Sequence, residues 1–97
     1  MKIVIVPLAL AELHDAAEFY TANANVELGR AFLAEFERAV DAILANPQVG
    51  AVFRGSRRRY FLRRFPYSVF YQVAADEVRV IAVAHQRRRP GYWAGRK

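Results

Sequence analysis

Two apolar runs, Ser68–Ala74 and Val78–Ala84, are separated only by Ala75-Asp76-Glu77. Each is too short to make a stable helix and is rich in β-branched or aromatic residues, so each predicts a strand. The three residues between them leave room only for a tight hairpin turn. The second run is so uniformly apolar that it belongs in the centre of a sheet. A chain of 97 residues built around such a hairpin predicts one domain, residues 1–97, with one core and modest stability.

The residues before the hairpin supply cover for that sheet. Lys2 to Val6 reads as a short buried strand. Pro7 suits the first turn of a helix, where its missing N–H is not needed. Leu8 to Ala22 carries an apolar stripe at Ala9, Leu10, Leu13, Ala16, Ala17 and Tyr20, with Glu12, Asp15 and Glu18 on the wet side. Asn23-Ala24-Asn25 marks a turn, with Asn25 as N-cap of a second helix. Val26 to Ala45 repeats the helical spacing at Leu28, Phe32, Phe36, Ala39, Val40, Ile43 and Leu44. Asn46-Pro47 ends it, because proline disfavours helical geometry in the residue before it. These two segments predict a helical hairpin with one shared apolar face. His14 reads as a surface residue of the first helix.

Val52-Phe53-Arg54 predicts a short additional strand, and Arg58–Arg64 a longer one. Alternation puts Arg57, Arg59, Phe61 and Arg63 on one side and Arg58, Tyr60, Leu62 and Arg64 on the other, with the second set toward the core. Pro66 predicts a bulge or bend before the hairpin. The expected fold is α+β: an N-terminal strand and a helical hairpin packed on one face of a mainly antiparallel sheet, βααβββ.

Charge is segregated along the chain. Residues 1–50 hold three basic side chains against seven acidic ones, a balance of −4; residues 51–97 hold twelve against two, a balance of +10. A basic half of this kind implies an anionic partner, either nucleic acid or an acidic protein segment. There is no cysteine, which excludes disulfides, thiolate metal sites and a cysteine nucleophile. No metal site or cofactor is expected. The opening apolar run is a strand's length, too short for a signal peptide or a membrane span, so a cytoplasmic protein without membrane contact is expected.

Within the basic half stand two segments, R-R-F-P-Y-S-V-F-Y at 63–71 and A-V-A-H-Q-R-R-R-P-G-Y-W at 82–93. Together, behind a strand and a helix pair, they resemble the RelE/ParE superfamily of bacterial toxins over nearly the whole chain. The resemblance implies the toxin half of a type II toxin–antitoxin, or plasmid-stabilisation, module that inhibits growth. Its partner would be a cognate antitoxin with an acidic, partly apolar segment, and direct operator contact would fall to that partner.

Two activities occur on this scaffold. The ParE-like one poisons DNA gyrase and needs a shaped basic and aromatic surface, for which Arg57, Arg59, Phe61, Arg63, Arg88, Arg89 and Trp93 are the candidates for target or antitoxin binding. The RelE-like one cuts messenger RNA on the ribosome as a metal-independent endoribonuclease, an mRNA interferase. It needs proton transfer and phosphate stabilisation, with His85 for the proton, Arg63 and Arg87 for phosphate, and Tyr92 for stacking or proton donation. The nuclease branch carries cations where this chain has Phe61, Ser68 and Gln86. Each lost contact to a charged transition state costs roughly 10²–10³ in rate, so the gyrase reading is preferred and the nuclease one is the alternative. A plain nucleic-acid-binding domain tracking phosphates with Arg57–Arg64 is a third reading.

Overall fold

The computed structural model describes residues 1–97. The chain runs β1 (Lys2–Ile5), α1 (Pro7–Asn23), α2 (Val26–Ala45), β2 (Ala51–Arg54), β3 (Arg57–Phe61), β4 (Tyr67–Ala74) and β5 (Glu77–His85). The strands form one sheet in the order β1-β5-β4-β3-β2. All neighbours are antiparallel except β1 and β5. The architecture is the expected α+β one, with the short strand at Ala51–Arg54 as its edge. Within the β4–β5 hairpin the turn contracts to Ala75 and Asp76, since Glu77 already pairs with Ala74. Ala75 takes the left-handed conformation there, with φ of 51°.

Local sequence explains the helix pair. Pro7 opens α1, and the Asn25 side chain caps α2 by accepting from Leu28 N–H at 2.8 Å. Gly29 lets the two helices meet. A Cβ there would lie 2.0 Å from Thr21 Oγ1 and 2.9 Å from the Ala17 carbonyl, closer than packed atoms tolerate. The inward stripes bury Ala9, Leu13, Ala16 and Ala17 from α1 and Phe32, Phe36, Ala39 and Ile43 from α2. Each large side chain removed from water in this way stabilises the fold by about 1.5–3 kcal/mol.

Cross-strand pairing sorts the sheet into two faces. Tyr60, Val69 and Val83 form one row, on the face that meets the helices; Tyr67 in the same set packs on Phe32 with ring centroids 5.0 Å apart. The opposite face carries the rows Phe61–Ser68–Ala84, Arg59–Phe70–Ala82 and Arg57–Gln72–Arg79. A bulge separates the last of these three rows from the other two, because Phe70 pairs with Ala82 and Tyr71 with Val80, leaving Ile81 as the extra residue.

The expected strand Arg58–Arg64 stops at Phe61. Leu62 and Phe65 are buried and turn the chain inward, where Phe65 meets Tyr20 and Phe32 at 4.9 and 5.1 Å. Two apolar anchors around Pro66 thus win over continued pairing, and Arg63 and Arg64 lie on the bend instead of the sheet. Glu35, 8% exposed, ties this bend to α2. Its carboxylate accepts from Arg38 Nη2 at 2.9 Å and from Arg63 N–H at 3.1 Å.

Arg38 above all, with Arg63, holds the Glu35 carboxyl below its ordinary range, against the opposing effect of burial. The stability it contributes is present above the unfolded value of about 4.3 and is lost as pH falls below it. Glu35→Gln is therefore expected to lower Tm at neutral pH and to flatten its decline in acid. Melting curves of the two proteins should converge as pH drops through that window.

Candidate functional site

The outer face of the sheet is covered by the chain's own C-terminus. Past His85 the backbone turns through Arg88 N–H to His85 O at 2.9 Å and Tyr92 N–H to Arg89 O at 3.3 Å. Gly91 sits at φ of 79°, a conformation that favours glycine, and a Cβ there would strike Arg54 Nη1 at 2.2 Å. That turn lays Trp93 against Phe70 at 4.7 Å and Phe53 at 5.8 Å between ring centroids. Trp93, expected on the binding surface, is instead 1% exposed; an indole that finds an uncovered aromatic sheet face gains more by burial there than in water.

Arg57 is drawn into the same packing. Its guanidinium lies 5.3 Å from the Trp93 ring centroid and donates to Gln72 Oε1 at 3.2 Å and to the carbonyls of Ala94, at 3.2 Å, and Arg96. It fastens the tail and has few donors left for another molecule. Arg58 works on the helix side, where Nη1 donates to Gly50 O at 2.8 Å.

A three-residue clasp holds the far end of the tail. Beyond Val80, β5 has no β1 partner, so its backbone groups need other mates. Glu12 of α1 supplies one: Oε1 accepts from Val83 N–H at 3.1 Å and from Arg96 Nη1 at 2.8 Å, while Oε2 accepts from the Tyr92 hydroxyl. Arg96 also donates to Ile81 O at 3.2 Å. The Tyr92 phenol is pushed well above its ordinary pKa, first by burial and then by this carboxylate.

What stays available on this side is a cationic and aromatic group of residues. Arg59 is held over Phe61 at 4.4 Å, with Phe53 and Phe70 each 5.4 Å away, and Nε donates to Ser68 Oγ at 3.2 Å. Arg88 lies 3.9 Å over Tyr92. Phe61 is 51% exposed, and Arg87, Arg88 and Arg89 are exposed. Arg59, Arg88 and Arg89 line one cavity with His85 and Tyr92; neither Arg63 nor Arg87 lines it. Arg63 lines a separate groove beside Glu35, Arg38 and Tyr60.

The protein-family model for the ParE toxin of the type II toxin–antitoxin system, parDE, matches residues 3–90. The chain belongs to the ParE toxin family. Among solved structures it is similar to the chromosomal ParDE toxin–antitoxin system from P. aeruginosa, at 19% identity and a TM-score of 0.77, over 88% of this chain and 95% of that one. At that identity the likeness speaks for the fold. Among curated proteins there is no match. Relative to the family span, the clasp residues Tyr92 and Arg96 and the buried Trp93 lie beyond Pro90, the last residue matched.

Within this ParE-family toxin, sequence reasoning missed Glu12, Arg96 and Phe53. Glu12 sits on the wet side of α1 and its partners are 71 to 84 residues away, a separation that leaves no periodic trace. The one available signal is Pro90-Gly91, a turn dipeptide that marks where the tail reverses. No helix is long and apolar enough to cross a membrane.

Proposed function

We propose that this ParE-family toxin inhibits DNA gyrase by occupying it with the basic and aromatic face around Arg59, Phe61, Arg88 and Arg89, with Arg63 on the adjoining bend, and that it carries out no chemistry of its own. Arg57 and Trp93 act as the support that fixes the tail beneath this face. A cognate antitoxin neutralises it through an acidic, partly apolar segment, drawn by charge and anchored by apolar contacts.

The observation that carries this reading is the state of the two groups a nuclease would need for proton transfer. His85 Nδ1 accepts the Arg87 N–H at 3.0 Å, which places the proton of the neutral ring on Nε2 and leaves no free nitrogen to act as base. The Tyr92 hydroxyl donates to Glu12, and its raised pKa makes it a poor acid. One observation favours the alternative, RelE-like reading: the tail folds back, so Arg88 and Arg89 stand near Arg59 and offset the cations absent at Phe61, Ser68 and Gln86. Cations without a proton relay serve binding better than cleavage.

Inducing the chain alone in bacteria is expected to arrest growth, and co-expressing its cognate antitoxin to restore it. Unimpaired growth with folded protein present would refute the toxin reading.

A further inference from the structure

The cavity between the end of β5 and the tail has properties that general surface charge does not explain. Three arginines, Arg59, Arg88 and Arg89, line it together with His85 and Gln86, and no acidic residue does. The three ion pairs of the molecule engage Arg38, Arg79 and Arg96, so Arg59, Arg88 and Arg89 are in direct ion pairs with no carboxylate of the chain. Phe70, Ala84 and Trp93, all buried, form its apolar side, and such walls strengthen the field felt inside.

Two of the cations are fixed in place. Arg59 is sandwiched among Phe53, Phe61 and Phe70 and anchored through Nε on Ser68, while its two terminal nitrogens make no hydrogen bond within the chain. Arg88 is stacked on Tyr92, whose own hydroxyl is locked on Glu12. Cation–π contacts reduce the mutual repulsion of such groups without neutralising them. The cavity holds about 30 Å³, room for roughly two water-sized groups and so for part of a tetrahedral oxyanion.

We propose that this cavity is a subsite for a phosphate group, bound by Arg59, Arg88 and Arg89. Three arginines on one small cavity offer more donors than a planar carboxylate can use, since a single arginine fork satisfies it, and so suit the larger set of acceptors on a tetrahedral phosphate. The phosphate can come from a nucleic-acid backbone or from the free ion. This inference stands on the cavity alone, and its failure would leave the gyrase reading intact.

The test is a titration of isotopically labelled protein followed by amide NMR shifts, at constant ionic strength, with inorganic phosphate in one arm and a dinucleotide bearing a single phosphodiester in the other. Saturable shifts are expected at Arg59 and Ala84–Trp93. Arg88→Gln with Arg89→Gln should weaken them roughly tenfold or more, the loss expected from one charge-assisted contact, and Arg30→Gln on α2 should not. Gln86→Glu, which sets a carboxylate at the rim, should weaken binding to a similar degree and checks the result should the double variant misfold. Tighter binding of the dinucleotide identifies a backbone phosphate as the ligand; binding of inorganic phosphate alone identifies the free ion. Absence of saturable shifts in both arms, shifts spread evenly over the exposed arginines, or unchanged binding in both rim variants would overturn the proposal.

Discussion

Trp93→Ala should lower the melting temperature by about 15–25 °C in a chain of this size. The side chain is 1% exposed and sits between Phe70, Phe53 and the Arg57 guanidinium. Truncating a buried tryptophan costs about 3–5 kcal/mol through lost burial and the cavity left behind. The second part of the effect is local. Arg57 donates to carbonyls of Ala94 and Arg96, and those bonds depend on the tail being seated. Thermal unfolding by circular dichroism reads the first effect, and hydrogen exchange of residues 86–97 reads the second. A shift of only a few degrees would mean that the tail does not lie on the sheet.

Arg88→Ala combined with Arg89→Ala should behave in the opposite way, sparing stability and removing toxicity. Both side chains are exposed and neither is paired with a carboxylate, so melting should move little, since such surface changes are usually worth under about 0.5 kcal/mol each. On the target, each charge-assisted contact is worth about 1.5–3 kcal/mol. Loss of two therefore weakens binding by roughly 10²–10⁴. The readout is the toxin level needed for half-maximal growth arrest, alongside the melting curve of the purified variant. Full toxicity would place the target surface elsewhere, and loss of folding would make these arginines part of the scaffold.

The sheet, the helix pair and their order were legible because each has a local cause. The hairpin was readable from two apolar runs flanking a short turn, and α2 from its spacing, its Asn25 cap and its Asn46-Pro47 end. Alternation also placed Tyr60 and Leu62 on the helix side and Arg59 and Phe61 opposite. It failed at Arg63, where Leu62 and Phe65 prefer the core beneath the helices to continued pairing. The candidate site was legible only as a collection of basic residues. Which of them are free depends on contacts far apart in sequence: Arg57 is occupied by the tail, Trp93 is buried under it, and Tyr92 is held by Glu12 from α1. Alternation and charge counting describe neighbours along the chain, whereas the reversal at Pro90-Gly91 decides which groups meet across it.

The division of labour that results is specific. Arg57, Trp93, Tyr92, Glu12 and Arg96 hold the tail; Arg59, Phe61, Arg88 and Arg89 are left facing outward on the surface it shapes. In that arrangement His85 Nδ1 accepts the Arg87 N–H and the Tyr92 hydroxyl donates to Glu12. The most direct measurement is a supercoiling and cleavage-complex assay of purified gyrase with the purified toxin, run beside a translating mRNA. The account predicts loss of supercoiling with trapped cleavage complexes and intact RNA; codon-positioned cuts in the message with gyrase unaffected would contradict it.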